Sequence, residues 1–102
     1  MIIYNVTVTV EEDIKDDWLK WMKSEHIPEL MAFGIFYKAQ ISRVIVEGDS
    51  NDTFAIAYTC PGMKQLNRYQ TRFSAQLQEK HIARYGDKVV AFRTIMEVIE
   101  EF

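Results

Sequence analysis

Alternation of apolar and polar side chains over the first ten residues predicts a strand with one committed core face. Ile2, Tyr4, Val6, Val8 and Val10 fall on one side, and Ile3, Asn5, Thr7 and Thr9 on the other. The acidic run EEDIKDD that follows suits the positive end of a helix dipole. Beyond it the apolar spacing widens to intervals of three or four, through Ile14, Trp18, Met22, Leu30 and Phe33. Trp21 broadens this stripe, His26 falls on it, and Gly34 supplies a C-terminal stop. Pro28 has no backbone N–H and its ring crowds the carbonyl of Ser24, so the helix is expected to kink or restart around residues 25–27.

Alternation returns over residues 35–46, where Ile35, Tyr37, Ala39, Ile41 and Ile45 oppose Phe36, Lys38, Gln40, Ser42 and Val44. The cluster GDSND reads as a turn, and Phe54, Ile56 and Tyr58 then face away from Ala55, Ala57 and Thr59 to complete a hairpin. Pro61 suits the first turn of a second helix, whose stripe runs through Leu66, Tyr69, Phe73 and Leu77 to Ile82 and Tyr85, with Gly86 beyond it. A last strand is expected over residues 88–99, with Val90, Phe92, Met96 and Val98 on one face and Ala91, Arg93, Ile95 and Glu97 on the other. The order strand, helix, strand, strand, helix, strand is that of a ferredoxin-like α+β sandwich, one domain spanning residues 1–102. Right-handed crossovers put both helices on one face of an antiparallel sheet ordered 4-1-3-2. The other face is then open and is expected to carry Ile3, Phe36, Val44, Ile95 and Ile99. So much apolar surface needs a cover, and a second copy of the same sheet is the simplest one, which predicts a homodimer.

Composition narrows the function classes. A chain of 102 residues with a formal charge of −3 is a poor partner for phosphate backbones, so no nucleic-acid binding is expected. The apolar start alternates with polar residues and lacks a basic lead or cleavage site, and no apolar run approaches the roughly 20 residues of a membrane span. Cys60 is the lone cysteine and has no partner for an internal disulfide. A cytoplasmic protein without membrane association is expected. No phosphate loop, nucleophile elbow, zinc-ligand spacing or paired metal carboxylates occur, so neither a cofactor nor a metal is expected.

The segments MIIYNVTVTV, WLKWMKSEHIPELMAFGIF, AIAYTC and RYGDKVVAFRTIMEVIEEF together resemble a small bacterial family known as a domain of unknown function. Its most specific pieces here are Trp18, Trp21, Glu25, His26, Pro28 and Gly34 in the first helix, and Phe92 and Arg93 in the last strand. The family is grouped with the dimeric α/β-barrel proteins, so the resemblance implies that fold and a sheet-to-sheet dimer. The wider superfamily includes cofactor-free monooxygenases, haem-degrading enzymes, dye-type peroxidases, muconolactone isomerases and ligand-binding proteins, roles too different for the fold to choose among.

His26 is the leading candidate for chemistry, because imidazole titrates near neutrality and the broken turn beside Glu25 can expose one ring nitrogen. The competing reading is a histidine that caps the broken helix. His81 follows the polar stretch QLQEK and reads as a solvated helix position, while Trp18 and Trp21 read as core. A second set is expected on the open sheet face. There Asn5 and Thr7, over a floor of Ala55 and Ala57, would adjoin Arg93 and Glu97 and either hold a small molecule through its carbonyl or carboxylate or, with Arg93 and Glu97 in cross-subunit polar contacts, form part of the dimer interface. Three functions follow: a homodimer that binds a small, partly apolar molecule; a cofactor-free monooxygenase or isomerase with His26 as acid or base; and a structural or regulatory dimer with no ligand.

Overall fold

The computed structural model describes residues 1–48 and 52–102; the GDSND turn lies, at Asp49, Ser50 and Asn51, outside the described residues. Four strands, β1 (Ile2–Val10), β2 (Lys38–Arg43), β3 (Thr53–Cys60) and β4 (Val89–Glu97), form one antiparallel sheet ordered β2-β3-β1-β4. That is the expected topology. Helical segments α1 (Lys15–Trp21) and α2 (Ile27–Met31) connect β1 to β2, and α3 (Met63–Arg72) and α4 (Ser74–Tyr85) connect β3 to β4. The second helix is thus divided at Phe73, whose backbone leaves the helical region (φ −125°) while its ring stacks on Phe33 at 4.1 Å.

The core lies between the helices and one face of the sheet. Tyr4, Val8 and Val10 of β1, with Phe54, Ile56 and Tyr58 of β3, are buried there against Trp18, Met22, Leu30, Leu66, Tyr69 and Leu77. These strands obey their alternation because each has one face that is wholly apolar and one that, Ile3 apart, is small or polar.

Two expectations about facing are corrected. First, β2 begins at Lys38, not at Ile35, so strand alternation does not govern Phe36. Phe36 is buried, its ring 5.2 Å from Tyr69 and 5.4 Å from Tyr58, on the helix side and not on the open face. Second, directly paired residues of an antiparallel sheet share a face, and β4 pairs Ala91 with Val8, Arg93 with Val6, Ile95 with Tyr4 and Glu97 with Ile2. Arg93, Ile95 and Glu97 therefore stand on the helix side, whereas Val90, Phe92, Thr94 and Met96 join Thr9, Thr7, Asn5 and Ile3 on the open face. Both faces of β4 carry apolar residues, and as an edge strand it meets the helix layer only partly, so its most apolar face is free to turn outward. Val90 and Phe92 remain 69% and 61% exposed, which makes the open face more apolar than expected.

Candidate functional site

The local break in the first helix builds one wall of the site. Because Pro28 leaves the Ser24 carbonyl without a donor four residues on, the chain adopts a π turn over Met22–His26, in which the Ile27 amide donates to the Met22 carbonyl. In a regular α-helix, residues five apart point about 140° away from each other. The wider turn brings them into line, and the His26 ring lies 4.8 Å from that of Trp21. The His26 ring makes no hydrogen bond to any of the described residues. Burial, with His81 nearby, pushes its pKa down to about 4, although Glu29 works in the opposite direction.

The opposite wall comes from α4. Trp18 is fully buried and its indole N–H, which cannot be left unpaired, donates to Nε2 of His81 at 2.9 Å. The His81 ring lies 5.7 Å from those of both Trp21 and His26. Burial lowers its pKa, and the charge of Arg93 adds to the effect, so both imidazoles are neutral at pH 7. Sequence reasoning read His81 as solvated because its immediate neighbours are polar. The usable signal was the spacing Leu77, His81, Tyr85, which continues the buried stripe of the helix, together with the acceptor that a core Trp18 requires.

The floor is the sheet. Arg93 donates from Nε to the Tyr4 hydroxyl at 3.0 Å, which turns its guanidinium toward the helices. Tyr69, whose pKa is raised by burial, and Tyr58, raised likewise, keep neutral hydroxyls. Between these walls lies a cavity of about 40 Å³, lined by His26, His81, Arg93 and the three tyrosines among apolar side chains such as Val6, Met22 and Leu77. It shares Gln78, His81, Ala91 and Arg93 with an outer cleft of about 190 Å³ between α4 and β4, bordered also by Ile82, Gly86 and Val89. The inner space holds roughly three waters, whereas the outer one exceeds the roughly 150 Å³ that accommodates a benzene ring. Among the described residues, no aspartate or glutamate lines either space.

The expected site residues are thus divided by the sheet. His26 and Arg93 meet in the helix-side cavity. Asn5 and Thr7 lie on the open face, hydrogen-bonded to each other at 3.1 Å, and cannot share a ligand with Arg93 through the sheet. Glu97 is exposed near the end of β4 and lines neither space. Among the described residues, no cluster of three or more metal-ligating side chains occurs and no helix is long and apolar enough to cross a membrane.

Helix-covered four-stranded sheet, split crossovers and a cavity between the layers define an α+β protein of the ferredoxin-like class. The chain belongs to the family described as Domain of unknown function (DUF4286), which matches residues 1–99. No curated protein matches the chain in sequence. Solved structures share its fold at low identity. A dimeric ferredoxin-like protein from an uncultured marine organism superposes with a TM-score of 0.71 at 9% identity, covering 99% of this chain and 96% of the other. A member of the ethyl tert-butyl ether d (ethd) family from Bacillus halodurans gives 0.67 at 11% identity over 97% and 100% of the two chains. A protein named antibiotic biosynthesis monooxygenase gives 0.64 at 12% identity, over 98% and 100%.

Proposed function

We propose that the protein is a cytoplasmic homodimer in which each protomer binds a small, partly apolar anion, about one ring in size, in the cleft between α4 and β4. One observation carries the ligand class: Arg93, solvent-exposed along part of its length and bonded through Nε to Tyr4, borders both the inner cavity and the outer cleft, and among the described residues no aspartate or glutamate lines either space to balance its charge. In such surroundings a positive charge favours an anionic oxygen, with Val6, Met22 and Leu77 available to the apolar end. The homodimer rests on the exposed Val90, Phe92 and Met96 beside Ile3, and on a structural relative that is itself named as dimeric. Asn5 and Thr7 then face the second copy.

The test is a titration of the protein with benzoate and with its uncharged counterpart benzyl alcohol, followed by NMR. Benzoate is expected to bind more tightly, and Arg93→Met to weaken it roughly tenfold or more, the value of one charge-assisted contact. Equal binding of the two compounds, or benzoate binding indifferent to Arg93→Met, refutes the reading.

An enzyme of the cofactor-free oxygenase or isomerase kind is the second reading, favoured by the unbonded His26 ring at the cavity wall. A base with a pKa of about 4 is poorly matched to proton abstraction at pH 7 and suits only substrates with an unusually acidic C–H. That mismatch ranks binding above turnover. Proton exchange at the activated carbon of a cyclic 1,3-diketone, lost in His26→Gln, is the expected sign of an enzyme; no exchange above that of buffer eliminates this reading.

A further inference from the structure

We propose that Trp18 locks His81 in its Nδ1–H tautomer, and that this N–H acts beside the Arg93 guanidinium as the second donor for the ligand's anionic oxygen. The inference rests on the binding reading above and adds a residue that selects the ionisation state of the ligand.

The tautomer follows from donor chemistry. An indole nitrogen can only donate, so the 2.9 Å contact from Trp18 Nε1 requires Nε2 of His81 to be the unprotonated, accepting nitrogen. A neutral imidazole carries a single N–H, which must then sit on Nδ1. Trp18 is fully buried, so its N–H cannot turn to water and release Nε2. Among the described residues Nδ1 has no hydrogen-bond acceptor, although His81 borders both the inner cavity and the outer cleft. Arg93 borders the same two spaces, and its Nε is already committed to the Tyr4 hydroxyl, which leaves the two terminal nitrogens for a ligand.

The pair therefore offers donors and no acceptor. A carboxylate, phenolate or enolate has lone pairs for both and no hydrogen of its own to place. An alcohol or primary amide brings a donor that neither Arg93 nor His81 can receive, and its neutral oxygen makes weaker bonds to the pair than an anionic one. His26, facing the same cavity, is neutral and does not supply a competing positive charge at pH 7.

Nitrogen-15 NMR of histidine-labelled protein tests the first half without any ligand. At pH 7 the His81 signals are expected to show a protonated Nδ1 and an unprotonated Nε2, and Trp18→Phe to give mixed tautomers. A protonated Nε2 in the unaltered protein overturns the proposal, whether or not Trp18→Phe folds. The second half uses benzoate with two variants that replace one ring nitrogen each: the amide of His81→Asn reaches the Nδ1 position and that of His81→Gln the Nε2 position. Benzoate binding is expected to hold within roughly threefold in His81→Asn and to fall roughly tenfold or more in His81→Gln. Equal affinity in both variants and the unaltered protein, with Arg93→Met still weakening it, overturns this inference and leaves the binding reading standing. No binding of benzoate to the unaltered protein overturns both.

Discussion

Acid should destabilise this fold through one residue in particular. His26 is held neutral, with a pKa near 4 in place of the ordinary 6.5. The unfolded chain therefore takes up a proton that the folded chain refuses, and acid draws the equilibrium toward unfolding. The stability is full above pH 6.5, declines as the pH falls through that value, and stops declining below about 4. A gap of 2.5 units corresponds to a limit of about 3 kcal/mol, and at pH 4.5 the loss reaches about 2.5 kcal/mol. Partial exposure of the ring to solvent makes both figures upper bounds. His81 shifts in the same direction and adds to the total. The assay is urea unfolding followed by tryptophan fluorescence, at fixed protein concentration so that the proposed dimer contributes equally to every comparison. It compares the unaltered protein with His26→Gln from pH 7.5 to 4.5. The unaltered protein should lose about 2 kcal/mol more than the variant over that interval. Parallel pH curves would refute the assignment of His26 as a neutral, desolvated group.

Three further outcomes are expected. Gly86 closes α4 at φ +60° and ψ −131°, and an added Cβ meets nothing within 4 Å, so Gly86→Ala carries a purely backbone cost of about 1–3 kcal/mol. A urea midpoint unchanged by that substitution contradicts the geometry. Phe92→Asp places a charge on the open face, where Phe92 pairs with Thr7; it should convert a dimer at micromolar concentration into a monomer by analytical ultracentrifugation. An unaltered protein that sediments as a monomer removes the dimer. Cys60 is fully buried, and burial raises its pKa, so a thiol reagent should label it only on unfolding; rapid labelling of the native protein contradicts its place in the core.

The architecture was legible where a segment had one committed face. β1 and β3 alternate between large apolar and small or polar residues, and their pairing, Val6 with Ile56 and Val8 with Phe54, follows that pattern. The break at Pro28 was also legible, because a missing donor is a property of the residue itself. Its form as a π turn was not, since that depends on how Trp21 and His26 pack together. Facing failed at β4, where both sides carry apolar residues and only the pairing with β1 decides between them. That ambiguity moved Arg93 from the open face to the cavity and parted it from Asn5 and Thr7. His81 was hidden for a related reason: its value comes from Trp18, 63 residues earlier, and no local window contains that partner.

A small anion is proposed to bind on the helix side of the sheet, at Arg93, and not on the open face. Backbone and side-chain NMR shifts on addition of benzoate test this placement most directly. The largest changes are expected on His26, Tyr69, Gln78, His81, Ala91 and Arg93, which line the cavity and its outer cleft. Changes centred on Asn5, Thr7, Ala55 and Ala57, or none at saturating benzoate, would contradict it.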